Sequence, residues 1–399
     1  MEKKIYEGKV EKIVNGGFGL VRSSEGVVFL KYVCPGEKVE YIIKEKAKGV
    51  TWGDVVKISE PFEKRITPEC SYYGECGGCI LSHMPYEEQI WIKKEILAND
   101  LKRIGGLDIK IDNIYSSKPL RYRIRAKLKG VENSGKIGFI RRGTNDVMEI
   151  NSCKIVDKPI NIFIKRWNKL IDPPFFHQVD IFFNKDNSTT YAHLSGIPEK
   201  KDIELFKSFK NTVFTWKGKE RESESVLKIK NYKFIVSPGI FFQVNKFQWE
   251  KMFDIVEGML EHSDVSLDLY TGSGFFIPLL QKYSKKVIGV ENNKLSINLA
   301  RKSFPGVLFE RSPVEKYDFP VTVDQILIDP PRSGLPEKVR DQIVKLKIKN
   351  IIYVSCSTST LARDLKYFKN NGYNIKEHNM VDQFPQTAHI ETITSLKLK

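Results

Sequence analysis

Asn350-Ile351-Ile352-Tyr353-Val354-Ser355-Cys356-Ser357-Thr358-Ser359-Thr360 decides how the chain is read. The unbroken, β-branched apolar run predicts a strand buried on both faces, as in a parallel α/β sheet. The Ser/Thr cluster behind it predicts the start of a helix. Ligands of such sheets bind beyond the carboxyl ends of the strands. Cys356 is therefore expected at the rim of a pocket, where helix amides favour the reactive thiolate. A cysteine at a strand end can equally be a small buried apolar residue, so its surroundings decide.

Those surroundings repeat a strand–helix pattern from Ser237 onward. Val265 to Tyr270 predicts a strand, followed by Thr271-Gly272-Ser273-Gly274 and a helix. Lys286 to Glu291 predicts a second strand ending in an acid. Gln325 to Asp329 predicts a third, running into the rigid turn Pro330-Pro331-Arg332. Strands are also expected around Asn374–His378 and Glu391–Leu398, giving a doubly wound, mostly parallel sheet. The glycine turn lets a ligand approach the backbone, and Glu291, about twenty residues past Gly272, can accept from ribose hydroxyls. The third glycine of dinucleotide folds is missing, and Phe275 and Phe276 crowd the position of a pyrophosphate. A cofactor with ribose and adenine but no phosphate fits better than NAD, and S-adenosylmethionine (SAM) is such a cofactor. Arg332 follows the paired prolines where amino-directed methyltransferases tend to carry a stacking aromatic.

The 399 residues suffice for two or three domains. No apolar run approaches a membrane span, and Met1-Glu2-Lys3-Lys4 does not open a signal peptide, so a cytoplasmic protein with no membrane partner is expected. The net charge of +16 points to an anionic polymer as partner. Residues 1–60 read as short strands at Ile5–Val14, Gly19–Arg22, Gly26–Leu30 and Val39–Lys44, with a turn at Asn15-Gly16-Gly17. They predict a small OB-like β-barrel, similar to the TRAM module of RNA-modifying enzymes. Cys70, Cys76 and Cys79 lie within ten residues, with Cys153 far downstream. Four thiolates can hold a [4Fe–4S] cluster or one zinc ion; three local ligands and one remote ligand stand closer to cluster usage. Pro85–Gly106 predicts a helix. In Arg121-Tyr122-Arg123-Ile124-Arg125-Ala126-Lys127-Leu128-Lys129, alternation on a strand would set five cations on one face, a seat for a phosphate backbone.

The motifs together resemble the RNA uracil-C5 methyltransferase family, which makes 5-methyluridine in transfer and ribosomal RNA. The matching stretches are Ser237–Asn245, Asp268–Gly272, Gly289–Glu291, Asp329–Gly334, Tyr353–Cys356 and Phe384–Glu391. The barrel and cysteine cluster resemble the branch acting on 23S ribosomal RNA. The resemblance implies that Gln243, Tyr270, Glu291 and Asp329 contact SAM, that Cys356 is the nucleophile and Glu391 the base, and that Cys70, Cys76, Cys79 and Cys153 hold [4Fe–4S]. It also implies three units. These are a TRAM-like barrel (1–60), a central α+β RNA-binding domain with the cluster (61–84 and 110–235), and a Rossmann-like SAM domain (85–109 and 236–399), in a monomer. Thr271, Phe275 and Pro313 depart from residues common in the family. Uracil C5 is a poor nucleophile, and thiolate addition at C6 moves charge onto it. The reaction therefore needs a thiolate, a base and a donor to the developing oxyanion, for which Arg332 is a candidate. The rivals are the same reaction on tRNA, a non-enzymatic cluster-bearing RNA-binding factor, and amino-directed methylation.

Overall fold

The structure is a computed structural model describing residues 4–24, 26–47 and 49–399; the expected opening Met1–Lys3 lies outside these. Strands Ile5–Val14, Phe18–Ser23, Gly26–Leu30, Lys38–Ala47 and Val50–Glu60 close into a barrel, the fifth strand lying between the third and fourth. Alternation locates the first four. The fifth, interrupted by Gly53 and Asp54, escapes it. The barrel does not stand apart. Its core residues Val10, Val21, Leu30 and Tyr41 are continuous with Leu81, Met84 and Ile92 and with one face of the large sheet.

A six-stranded sheet follows, in the order Thr212–Thr215, Thr189–Leu194, Gln178–Asn184, Arg125–Gly130, Ile137–Ile140, Val147–Glu149. Helix Lys158–Asn168 packs Phe163 and Trp167 into its core. The expected five-cation strand is corrected here. Regular pairing begins only at Arg125, and Arg121 is left-handed (φ 55°). Tyr122, Ile124, Ala126 and Leu128 do alternate inward. Arg125, however, lies over the Phe182 ring and donates to the Ser237 carbonyl at 2.9 Å, and burial lowers its pKa to about 10. The alternating face is therefore not uniformly solvated.

The large sheet has eight strands, in the order Leu308–Arg311, Ser284–Glu291, Ser263–Leu269, Gln325–Ile328, Asn350–Ser355, Glu391–Leu398, Tyr373–Val381, Asn113–Tyr115. The first five are parallel, and Glu391–Leu398 runs antiparallel to both its neighbours. Alternate residues of Asn350–Ser355 feed two cores. Ile351 and Tyr353 pack with Leu361 and Phe368 of helix Thr358–Asn370. Ile352 and Val354 pack with Trp249 and Phe253 of helix Trp249–Met259. Burial on both faces explains the continuous apolar run. Asn113–Tyr115 pairs along this sheet's edge, and hairpin Ser225–Val236 packs Leu227 and Phe234 into its core, so both stretches pack with the large sheet.

Helix Tyr86–Asp100 continues as a π-turn to Gly105 and ends at left-handed Gly106. Its Lys93 is fully buried and pairs with buried Asp382 at 2.6 Å, while also donating to the Phe384 carbonyl at 3.0 Å. Tyr86 donates to the same carboxylate at 2.7 Å. Removing one partner of a buried pair strands the other charge, at a cost of about 3–5 kcal/mol. Lys93→Ala is expected to lower stability by that amount, and Lys93→Met/Asp382→Leu by distinctly less, read as shifts in the denaturation midpoint.

Candidate active site

The carboxyl edge of the large sheet gathers the expected residues. Strand Ser263–Leu269 ends in Tyr270, whose backbone is left-handed (φ 61°), an uncommon conformation for an aromatic residue. The chain turns sharply there. Thr271 N–H reaches the Val290 carbonyl at 3.1 Å, and Gly272 N–H donates to Glu291 Oε2 at 3.1 Å. Glu291 Oε1 accepts from Asn293 N–H at 2.6 Å, which fixes the acid at its strand end. Gln243 Nε2 lies 3.4 Å from Asp329 Oδ2, and Gln243 Oε1 accepts from Gln383 at 3.2 Å. Gln243, Asp268, Tyr270, Gly272 and Asp329 line one narrow cleft, with Phe275 and Phe276 at its wall.

Phe275 belongs to an aromatic cluster with Phe234, Phe242 and Phe253, which accounts for an aromatic residue at this position. Pro313 caps the short turn Val314–Lys316, and Thr271 Oγ1 donates to Asp268 at 2.5 Å. Asp268 belongs to a quoted motif but not to the expected cofactor set. Burial pushes its pKa up to about 8, and that of Asp329 up to about 7.

Cys356 follows the end of strand Asn350–Ser355, and helix Thr358–Asn370 starts two residues on. Ser355 pairs with Thr392 at the end of the antiparallel ladder, so Cys356 and Glu391 are the residues directly beyond its last pair. Facing residues of an antiparallel pair share one side of the sheet. The expected depressed thiol pKa is not found. Desolvation, then the Glu391 and Asp329 charges, push Cys356 up to about 12, with Arg332 pulling the other way. Burial and Asp329 raise Glu391 well above the usual carboxylate range. Three acidic groups in one desolvated corner cannot all ionise. Desolvation and the neighbouring carboxyl groups thus favour the neutral thiol over the thiolate, against the pull of Arg332.

Arg332 is exposed, and one of its nitrogens lies 3.1 Å from His389 Nε2. Desolvation and that guanidinium lower the His389 pKa, so a neutral ring faces the cation. The turn carrying Arg332 is strapped to the helix behind it. Buried Asp364 accepts from Leu335 N–H at 2.9 Å and from the Tyr353 hydroxyl at 2.8 Å, and Arg363 donates to the Ser333 and Leu335 carbonyls. Asp364 and Lys93 carry no local motif, so sequence reasoning passed them over.

Cys70, Cys76, Cys79 and Cys153 line a separate cavity of about 750 Å³. Among the described residues, no three His, Cys, Asp or Glu side chains form a group that could hold a metal ion. Burial raises Cys79 to about 12, with the Cys153, Cys70 and Cys76 charges adding to it. Asn161 pins Cys153, accepting from its N–H at 2.6 Å and donating to its carbonyl at 2.9 Å. Arg142 donates to the Cys79 carbonyl at 2.8 Å. Arg123 Nε, Arg125 Nη1 and Arg142 Nε, from residues lining the same cavity, are buried with no hydrogen-bond partner among the described residues.

The Cys356 thiol should alkylate slowly at pH 8 and faster as pH rises toward 12. Glu391→Gln removes one of the charges that raise it, so alkylation at a given pH should be faster in that variant. The rate is followed by mass analysis of the Cys356 peptide with iodoacetamide.

A family model described as tRNA (Uracil-5-)-methyltransferase matches residues 313–399. An RNA methyltransferase of Aquifex aeolicus is 30% identical over 100% of both chains, and one of Clostridium acetobutylicum is 30% identical over 98% of this chain and 96% of its own. The fold is similar to that of the Pyrococcus abyssi tRNA (uracil-54, C5)-methyltransferase solved with S-adenosyl-L-homocysteine. The TM-score is 0.76, with 23% identity over 98% of this chain and 100% of that one. The chain belongs to the RNA uracil-C5 methyltransferase family.

Proposed function

We propose that the chain methylates C5 of a specific uridine in 23S ribosomal RNA, with Cys356 as nucleophile and Glu391 as base. The reading is supported by Cys356 and Glu391 each following directly on the last pair of one antiparallel ladder, Ser355 with Thr392, and by the Glu391 and Asp329 charges that bear on the thiol.

The target base must leave the RNA stack to reach that corner. Cys356 Sγ, as thiolate, adds to C6 and moves negative charge onto C5 and O4. Arg332 is the cation available to the oxyanion, and its charge also favours the thiolate. Once C5 carries the new methyl group, Glu391 as carboxylate takes the C5 proton. The C6–S bond then breaks and the thiolate leaves. SAM supplies the electrophilic methyl group. Gln243, Tyr270, Glu291 and Asp329 would hold it, and the cleft beside the Gly272 turn, with an acid fixed at the neighbouring strand end, fits a ribose-bearing ligand without phosphate.

The four cysteines would hold a [4Fe–4S] cluster once their side chains close on it, since as they stand they are not grouped for a metal. Support comes from their shared cavity and from the unpartnered guanidinium nitrogens around it, which suit an anionic occupant. Such a cluster would supply structural cross-linking or electron transfer. The barrel's likeness to a TRAM module and the net charge of +16 support an RNA partner in the cytoplasm. A tRNA substrate is the second reading. It is favoured by the fold match to the Pyrococcus abyssi enzyme, which spans the barrel as well as the sheet.

Incubating the chain with labelled SAM and either tRNA or 23S rRNA transcripts, followed by nucleoside mass analysis, tests the assignment; 5-methyluridine in the 23S transcript alone is expected. Label in tRNA alone would replace the substrate, and label on nitrogen would overturn the chemistry. Cys356→Ala should lose at least about 10³-fold in rate. Glu391→Gln should lose about 10²–10⁴-fold and accumulate a covalent RNA adduct, because release needs the proton removed. Protein purified anaerobically should carry iron and acid-labile sulfide, and Cys79→Ala should lose both.

A further inference from the structure

The first turn of the barrel, Asn15-Gly16-Gly17, reaches the helix start behind Cys356 and the segment that leads to Glu391. Asn15 lies at the surface, yet its Nδ2 donates to Thr358 Oγ1 at 3.0 Å and to Asp100 Oδ2 at 3.1 Å. Thr358 Oγ1 in turn donates to the same Asp100 oxygen at 2.6 Å. This closes a triangle between the barrel, the end of helix Tyr86–Asp100 and the start of helix Thr358–Asn370. Asp100 and Thr358 are buried. Thr358 stands two residues after Cys356.

Gly17 supplies the other half of the contact. It is buried and left-handed (φ 81°), and a Cβ built on it would lie 2.8 Å from Ile80 Cγ2 and 3.0 Å from the Ala388 Cβ. Ala388 stands three residues before Glu391. A side chain there would have to displace Ile80 and would press on Ala388. Nearby, Lys12 donates to Asn99 at 2.9 Å and holds the same barrel strand to the same helix.

We propose that this turn is a positioning element for the nucleophile and base. Asn15 fixes the start of the helix behind Cys356, Gly17 fixes the approach to Glu391, and the barrel thereby sets the spacing of thiol and carboxyl. The inference rests on Cys356 and Glu391 acting as proposed above. It gives the barrel a part in the chemical step, besides any part in RNA affinity. Misplacing reacting groups by a fraction of an ångström slows the step without weakening ground-state binding.

The test compares the full-length wild type with Asn15→Ala, Asn15→Asp and Gly17→Ala. The substrate is whichever transcript, 23S rRNA or tRNA, the wild type methylates. Single-turnover methyl transfer and adduct formation with its 5-fluorouridine-substituted form are measured together. Asn15→Ala should slow both about tenfold, with the KM for RNA and for SAM within about twofold of wild type. Asn15→Asp is similar in shape but sets a second carboxyl against Asp100, so it should be slower than Asn15→Ala at pH 8. It should regain rate relative to wild type as the pH falls and the new carboxyl becomes a donor. Gly17→Ala should slow the step at least as much. A rise in KM for RNA with the single-turnover rate intact, or variants with wild-type rates, overturns the proposal. So does an Asn15→Asp rate whose ratio to wild type does not change with pH. If the wild type itself forms no adduct, the nucleophile assignment falls and this inference with it.

Discussion

The buried pair between Lys93 and Asp382 is the contact around which the parts of this molecule are arranged. A fully desolvated ammonium tolerates little displacement of its partner, so the helix behind the cysteine loop and the segment leading to Glu391 are fixed to each other. Other bonds converge on that segment. The Gln386 carbonyl accepts from Ile80 and Leu81 N–H, its side chain meets Gln89, and Tyr122 donates to the Pro385 carbonyl at 3.0 Å. Asn245 and Gln248 hold the Asp382 carbonyl from the other side. The barrel, the cysteine loop, the basic strand and the large sheet thus meet at the short stretch preceding the proposed base.

This convergence explains why the large sheet ends as it does. Five parallel strands would deliver a nucleotide cleft and Cys356 but no carboxyl on the thiol's far side. Reversing the direction of Glu391–Leu398 turns a strand beginning into an active-edge residue. The same reversal brings Glu391 into a desolvated corner with Cys356 and Asp329, which raises both the thiol and the Glu391 carboxyl.

Much of this was legible in the residues. The buried run Asn350–Ser355, the glycine turn after Leu269 and the acid at Glu291 each follow from local patterns, and the strands appear where those patterns put them. Arg125 was misjudged because alternation reports which way a side chain leaves the strand, not whether the neighbouring strand then covers it; Phe182, its cross-strand partner, does. The upward shift at Cys356 was not anticipated because a helix terminus is visible in sequence while the desolvation of a corner built from several strands is not. Asp382, Asp364 and Asn15 were illegible for the same reason. Each is defined by partners that chain order does not bring near, as with Asn15 and Thr358, 343 residues apart.

The separation of Lys93 from Asp382, 289 residues, also bears on how the molecule is made. A ribosome releases the helix long before its counter-charge exists. Until then the ammonium must stay hydrated, and the apolar side of that helix has only the barrel to lean on. Closure of so long a loop is slow and entropically opposed, and unpaired surface exposed meanwhile is prone to association. Assembly of the corner that holds Cys356 and Glu391 is therefore a late event, since both residues are themselves among the last to be made.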